Sequence, residues 1–544
     1  MTDARTSVCC ITRLAGFRPK PHMDITDAAP RRKEPFGIPC RRLLPAASAV
    51  ALLSMQSVHA AEWSVAPSVG LRETYSSNIA LAPDATARSE WVTELAPRIA
   101  LSASGVRFKF NADYALRYLD YHGGGTSSEV QHNVNANASG EFVKDLLFVD
   151  AIANISQQRI SAFGPQSIDY VNLTGNRTEV QTYGISPYLR HDIGRFAAAE
   201  LRYTAEKKKA DDPNLLDSDV RRTLFDIGSG NRLRTWGWGF EFDRQRIDYR
   251  LAPETELSRY TARLQYEITP RIFLKTTAGY EDNNYLYIGE KPSGKLWSAG
   301  LSWLPSQSTS VSASAGHRYF GKTFAASAGH HDGKSAWDLG YDEEVTSQSA
   351  LSTQSTLDTA AFLDRLWNTS IPDEAARKKI VDTFIHNAGL PTTLSGNIYN
   401  LSNRIFLQKS LRISLALDGS RNTAVFAIHG LRREPLSVAP VAGAVPPTSQ
   451  PGIDDDSLQT GASANWIWHV TPRSDLAFGA SYTRARAFGN ERIDHFRAFR
   501  TALAKQFGRK SSATFELRRQ QRSSTQQDAA YTENAVALLI LMQL

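Results

Sequence analysis

The chain has 544 residues, of which 42% are hydrophobic and 10% aromatic, and this composition excludes a wholly disordered protein. It contains no run of 18 apolar residues, which excludes a protein that crosses a membrane with several helices. The formal net charge is +7, but residues 1–60 hold nine bases and four acids, and the remainder, at about +2, is too nearly neutral for a nucleic-acid-binding domain.

The first 60 residues have the organisation of a secretory signal peptide with an N-terminal extension. Arg41 and Arg42 form a charged region, residues 43–54 form a short apolar region, and residues 58–60 supply small side chains for a cleavage site. We therefore expect export and cleavage near Ala60. All three cysteines precede this site, so the mature chain would have neither disulfides nor thiolate metal sites: Cys9, Cys10 and Cys40.

From Trp63 onwards, apolar or aromatic residues alternate with polar residues in segments of about ten residues. Clear examples are residues 108–118, 236–242, 260–268, 272–280, 411–417 and 476–482. Soluble β-sandwiches would be separated by linkers, whereas in a transmembrane barrel the apolar positions face lipid and closure satisfies the backbone. The pattern predicts an all-β protein, a transmembrane antiparallel β-barrel over residues 61–544 with about 22 strands. The strand number should be even and between 16 and 22.

The connections between these segments alternate between short turns and long polar loops. Turns rich in Pro, Gly or Asp occur at residues 104–105, 192–194, 269–271, 304–306, 332–333 and 471–473. Longer polar loops occur at residues 76–89, 161–176, 210–218, 285–294 and 431–457. This asymmetry is typical of barrels in the bacterial outer membrane, which have short periplasmic turns and long external loops.

One segment breaks the alternation and has helical periodicity, residues 355–390. Its second helix would have Pro372 in the first turn and Gly389 at its end. We predict a helical insert over residues 346–394, within an external loop. Because its helices are amphipathic, their apolar faces must pack against the barrel mouth or against each other.

If the aromatic positions face lipid, their charged neighbours face the lumen. Six of these neighbours are acidic: Asp113, Glu200, Glu241, Asp243, Asp418 and Glu516. Eight are basic and are candidate contacts for a solute or an anionic polymer: Arg117, Arg202, Arg263, Lys275, Arg404, Arg412, Arg500 and Arg518. The favoured interpretation is a wall stabilised by ion pairs. The alternative is a mildly basic lumen that admits anionic solutes or sugar chains.

Residues 484–522 hold eleven basic and three acidic residues, the strongest local charge of the mature chain. Arg484, Arg486 and Arg492 are predicted beside an external loop, where anionic lipopolysaccharide would contact them. Adhesion to this lipid layer is the simpler interpretation, and capture of an acidic polymer is the alternative.

Histidines offer only weak signals for metal binding or catalysis. His330 and His331 stand beside Asp332, but the same residues are typical of an exposed turn. His317 and His495 have no orienting motif, and no Gly-x-Ser-x-Gly sequence occurs. We therefore predict no catalytic residue, metal or cofactor, and no enzymatic activity.

Several short motifs resemble the family of PEP-CTERM system-associated outer membrane proteins. They are residues 63–69, 73–78, 93–97, 318–322, 337–343 and 421–423. The resemblance covers nearly all of residues 62–544. It implies an outer-membrane barrel in bacteria that make exopolysaccharide and sort exported proteins, and it implies no catalytic residues.

The leading hypothesis, which depends largely on this resemblance, is a channel or accessory protein for envelope export of polysaccharide or PEP-CTERM proteins. The expected partners are outer-membrane lipid and lipopolysaccharide, with exopolysaccharide or export components as candidates and no nucleic acid. The second hypothesis is a structural or adhesive surface protein that transports nothing, and the third is an outer-membrane enzyme. Ion conduction would separate the first two.

Overall fold

The structure is a computed structural model, and it describes most of the chain beyond the predicted signal peptide. The described residues are 62–123, 127–212, 215, 217–229, 235–250, 253–285, 287–288, 291–347, 363–364, 377, 381, 401, 404–437 and 456–544. The predicted signal peptide, residues 1–60, lies outside them.

Twenty-two β-strands and one short 3-10 helix, Asp84–Thr86, make up the described secondary structure of residues 62–347 and 404–544. The strands, β1 to β22 in chain order, are Glu62–Ser76, Glu90–Ser104, Phe108–Tyr121, Glu129–Val143, Leu147–Arg159, Arg177–Ile193, Ala197–Ala210, Ser218–Gly228, Trp236–Tyr249, Thr255–Thr269, Ile272–Asn284, Ser293–Ser306, Thr309–Arg318, Gly321–His331, Ser335–Thr346, Phe406–Asp418, Asn422–Pro435, Ser457–Thr471, Ser474–Ala487, Ile493–Gln506, Ser511–Ser524 and Tyr531–Gln543.

All strands belong to one closed antiparallel sheet, in which each strand pairs with its neighbours along the chain. The barrel closes between the first and last strands, with pairs from Ser68 and Gln543 to Ser76 and Ala535. Closure leaves no free edge, so every strand finds hydrogen-bond partners on both sides. The predicted transmembrane antiparallel β-barrel with about 22 strands is confirmed.

The outer surface of the barrel carries the aromatic and apolar residues of the alternating pattern. Trp236 and Trp238, for example, have 58% and 41% of their surface exposed. The intervening positions carry polar side chains that reach one another across two strands on the concave side. The Nη1 atom of Arg202 on β7, for instance, lies 2.7 Å from Oδ2 of Asp150 on β5. One face of the sheet is therefore suited to lipid and the other to an aqueous lumen.

The two ends of the barrel differ as the sequence predicts. At one end, which we call the short-turn end, the described connections include Pro270–Arg271 between β10 and β11 and Pro472–Arg473 between β18 and β19. At the other, the long-loop end, β1 and β2 are joined by residues 77–89, and β5 and β6 by residues 160–176. The predicted turn at residues 304–306 belongs instead to the end of β12, which continues to Ser306.

The predicted helical insert, residues 346–394, lies mostly outside the described residues. Leu363, Asp364, Arg377 and Val381 are described and have helical backbone. Leu363 and Val381 are buried, and the Arg377 guanidinium lies 2.7 Å from the Asp364 carboxylate. No helix in the described part of the chain has the length and apolar character needed to cross a membrane.

Candidate functional site: the lumen

Most of the predicted basic residues of the lumen are held in ion pairs. Six of the eight contact carboxylates: Arg117 with Glu94, Arg202 with Asp150 and Glu200, Arg263 with Asp226 and Glu241, Arg412 with Asp342, Arg500 with Glu516, and Arg518 with Asp169. Lys275 lies on the inner face of β11 and forms no ion pair with any of the described residues. Arg404 precedes β16 and does not lie on a strand, and its contact with a solute or polymer stays a prediction.

One continuous chain of ion pairs crosses β8, β9 and β10. It alternates in charge, and its members in order are Asp226, Arg263, Glu241, Arg259, Asp243 and Arg222. The Arg222 and Asp243 side chains form two hydrogen bonds, of 2.8 and 2.7 Å. Because three bases meet three acids, this part of the wall has no net charge, as expected for ion pairs that stabilise the barrel.

An open cavity of about 530 Å³ lies against this charged wall. Its lining comes from strands β5 to β11, from β13 and from the end of β15, and includes five acidic and four basic residues. Arg202 lines it, and its guanidinium also packs over the Tyr188 ring, 3.8 Å from the ring centroid. The cavity therefore combines charges of both signs with a cation–π contact.

The inner face of β12, β13 and β14 carries mainly small side chains. Gly300 pairs with Ser314, and Ser314 pairs with Ala325. In the same row of positions, the hydroxyl oxygens of Ser312 and Ser327 lie 2.7 Å apart. Because these residues are small, the side chains of these three strands do not fill the space next to the wall.

The connection between β5 and β6, residues 160–176, is folded inwards, and we call it the lumen loop. Side-chain amides replace the hydrogen bonds that a strand or helix would supply. The Gln166 amide nitrogen donates to the carbonyls of Ser161, Ala162 and Gly164 at 2.9–3.1 Å. Asn176 Oδ1 accepts from the Ser161 backbone N–H at 2.8 Å. The loop thus has a defined conformation of its own.

Asp169 anchors the lumen loop to β1 and β21, the two strands that flank β22 where the barrel closes. Its Oδ2 atom lies 2.7 Å from Arg72 Nη2 on β1 and 2.6 Å from Arg518 Nη1 on β21. Both arginines alternate with outward residues, since Leu71 and Leu517 are exposed. Burial raises the pKa of the Asp169 carboxyl, but the Arg72 and Arg518 charges outweigh it and hold this pKa well below its usual range.

A second group of anchors joins the lumen loop to β22. Glu533 accepts hydrogen bonds from Asn172 Nδ2 at 2.7 Å and from Ser76 Oγ at 2.6 Å. The Tyr531 hydroxyl donates to the Gln166 carbonyl at 3.1 Å and accepts from the Gln166 backbone N–H at 3.0 Å. These contacts are buried, so the loop is fixed against the wall and narrows the lumen.

Apolar contacts complete the packing of the lumen loop. Val171 and Ile79, which comes from the connection between β1 and β2, form a buried cluster with Val92, Leu119 and Tyr121 of β2 and β3. At the other end of the loop, Ala162 and Phe163 pack on Ala485 and Ala487 of β19. The loop therefore contacts the wall from β3 through the seam to β19, while the cavity lies along β5 to β15.

The structure tests two further predictions, one for Arg492 and one for the turn beside His330. Arg492 is buried, and its guanidinium donates to Asp494 Oδ1 at 3.1 Å and to the Phe163 carbonyl at 2.7 Å. Its predicted contact with lipopolysaccharide is therefore wrong. His330 lies beside the turn in which Asp332 accepts backbone N–H bonds from residues 334 and 335, which confirms the turn. Among the described residues, no group of three or more His, Cys, Asp or Glu could hold a metal ion.

No protein-family model and no curated protein sequence matches this chain. Solved structures with similar folds include the siderophore receptor PirA from Pseudomonas aeruginosa, at 10% identity and a TM-score of 0.44, covering 88% of this chain and 80% of PirA. The FrpB iron transporter from Neisseria meningitidis has 10% identity and a TM-score of 0.47, covering 88% and 82%. OccAB4 from Acinetobacter baumannii has 10% identity and a TM-score of 0.33, covering 88% and 98%. At this level of similarity, the fold rests on the sheet topology of the chain itself.

Proposed function

We propose that this chain is a channel of the bacterial outer membrane that takes part in envelope export linked to exopolysaccharide or PEP-CTERM protein sorting. The single observation that supports a channel is the open cavity of the lumen, about 530 Å³, beside the fixed lumen loop. The outward apolar residues and the difference between the two barrel ends support the outer membrane. The link to exopolysaccharide and PEP-CTERM proteins comes from the sequence resemblance.

The charge balance of the wall favours neutral or weakly charged sugar chains as the transported class. An anionic polymer would have to displace carboxylates that already contact the inner arginines, such as Asp243 beside Arg222. Sugar hydroxyls can donate to carboxylates and accept from guanidinium groups without breaking these pairs. The small side chains along β12 to β14 leave room for such a chain.

The test is single-channel conductance in planar bilayers of refolded residues 61–544, beside a version that lacks residues 346–394. We expect the deletion to produce a steady conductance that is smaller or absent in the intact chain. In a salt gradient the reversal potential should stay near zero, since the five acidic and four basic residues that line the cavity nearly balance. The shift in gel mobility on heating shows whether each version is folded.

If neither folded version conducts, the lumen is closed by its own contents. The non-transporting structural or adhesive surface protein would then replace the channel as the proposed function. A strong preference for anions would instead contradict the balanced wall and support the basic-lumen alternative.

A further inference from the structure

Three exposed arginines lie in a diagonal row on the outer surface near the long-loop end, and we call them the arginine row: Arg484 on β19, Arg497 on β20 and Arg519 on β21. Arg484 pairs with His495, two residues from Arg497. Arg497 pairs with Gln521, two residues from Arg519. Such diagonal neighbours are about 7–8 Å apart at their Cα atoms, so long guanidinium side chains can converge on one ligand.

No carboxylate neutralises the arginine row within the described part of the chain. The outward positions of β18 to β22 contain no Asp or Glu. Glu491 and Asp528 lie in the connections at the strand ends. Arg519 Nη1 donates to the amide oxygen of Asn534 at 3.4 Å, and the Tyr482 hydroxyl lies 2.8 Å from His495 Nδ1.

The outward arginines of β8 and β9 differ, because each one meets an acid. Arg221 lies 3.2 Å from Asp248. Arg244 and Arg246 lie 2.7 and 3.0 Å from Glu256. These side chains belong to the same end and the same surface of the barrel, but their charge is already balanced. Unlike these three arginines, the members of the arginine row form no ion pair with a described carboxylate.

Apolar residues lie directly below the arginine row. Phe499 is 56% exposed and Leu517 46% exposed on the outward faces of β20 and β21. Phe499 pairs with Arg519, so apolar and cationic side chains are immediate neighbours. The arginine row therefore lies at the border of an apolar band, at the level where lipid phosphates lie in a bilayer.

We propose that the arginine row binds the phosphate groups of a lipopolysaccharide molecule in the outer leaflet. This proposal rests on the proposed outer-membrane location. Guanidinium groups form bidentate, charge-assisted hydrogen bonds with phosphate, and the uncharged polar groups of Tyr482, Gln521 and Asn534 lie alongside. Phe478, Phe499 and Leu517 would contact the acyl chains of the same molecule.

The test compares the full mature barrel with the triple variant R484Q/R497Q/R519Q and with the matched control R221Q/R244Q/R246Q. Each refolded protein is titrated with bisphosphorylated lipid A in detergent, and the bound lipid is counted by native mass spectrometry. We expect binding about tenfold weaker for the arginine-row variant and little changed for the control. Lipid A without phosphates should bind the unaltered protein as weakly as the variant binds the phosphorylated form.

Equal binding by the two triple variants, or equal binding of lipid A with and without phosphates, would overturn the proposal. Equally strong binding of phosphatidylglycerol would overturn it too, because the surface would then select charge alone. Conductance of the same preparations tests the channel separately, so a folded, conducting protein without this lipid preference contradicts only the lipid site. If the arginine-row variant fails to fold, the dephosphorylated lipid still tests the unaltered protein.

Discussion

At the scale of single residues, the lumen depends on carboxylates that hold buried arginines. Asp169 is the clearest case, because Arg518 has only 2% of its side chain exposed and contacts Asp169 from a strand 349 residues away in sequence. A buried arginine without its acid would carry an uncompensated charge in a poorly solvated place. Asp169 therefore fixes both the loop and the wall beneath it.

The substitution Asp169→Asn should release the lumen loop. It removes the charge that compensates Arg72 and Arg518, and breaking a buried pair of this kind costs about 3–5 kcal/mol. Hydrogen exchange of the backbone amides of residues 161–173 measures the free energy of local opening. Asp113→Asn is the control, since Arg98 and Asp113 form a pair with 50% and 28% exposure, worth about 0–1 kcal/mol. Equal protection in both variants would contradict the anchoring role.

The same anchor should resist mild acid. The pKa of Asp169 is lower in the folded protein than in the unfolded chain, where it is about 3.9. Stabilisation by this carboxylate is thus complete above the unfolded value and is lost only as the pH falls through the lower folded value. Between pH 7 and pH 5, loop protection, corrected for intrinsic exchange rates, should stay constant. A loss of protection between pH 7 and pH 5 would mean that a titratable group other than Asp169 controls the opening of the loop.

At the scale of elements, the strands could be predicted from the sequence and the lumen loop could not. Segments such as residues 236–242 show a period of two that identifies both the strand and its lipid-facing side. Gln166, Asn172 and Asn176 look like residues of an exposed polar loop, because their partners are backbone carbonyls and the distant Glu533. Local sequence patterns contain no signal for such long-range partners.

The basic residues of the lumen are likewise only partly predictable from the sequence. Their inward direction follows from alternation and holds for the strand residues, such as Arg202 and Arg263. Which acid each one meets depends on register, and the partners of Arg202 and Arg263 include acids two strands away, Asp150 and Asp226. The sequence therefore predicts a charged inner wall with ion pairs, while the structure shows which acid each of the six paired bases meets.

Replacing residues 163–173 of the lumen loop with a short Gly-Ser linker should widen the channel without unfolding the barrel. The loop contributes no strand pairing, since β5 and β6 pair from Leu147 and Leu189 to Arg159 and Arg177. We expect a larger unitary conductance and an unchanged shift in gel mobility on heating. An unchanged conductance in the folded variant would place the narrowest point elsewhere in the lumen.

At the scale of the whole molecule, the two surfaces of the barrel impose opposite requirements on the same strands. The outer surface exposes residues such as Leu538 and Phe515, which favours lipid contact. The inner surface pairs charges around a cavity. A charged substitution should consequently be costly on one surface and tolerated on the other.

Leu538→Arg and Ser314→Arg test this division. Leu538 lies on the outer surface near the middle of β22, and an arginine at the bilayer midplane costs about 2–4 kcal/mol. Ser314 faces the lumen between Gly300 and Ala325, where a long side chain finds space and water. Urea unfolding in lipid bilayers should show a loss of stability for Leu538→Arg only. Equal losses of stability in the two variants would mean that the lumen around Ser314 contains no water.

The seam between β1 and β22 also governs the order of folding. Ser68 pairs with Gln543, so the contact that completes the barrel joins residues at opposite ends of the strand series. Contacts with such large sequence separation form slowly. Until β22 has been delivered, β1 and β21 each present an unpaired edge that can join another chain. The assembly time of the barrel should therefore be governed by the arrival of its last strand.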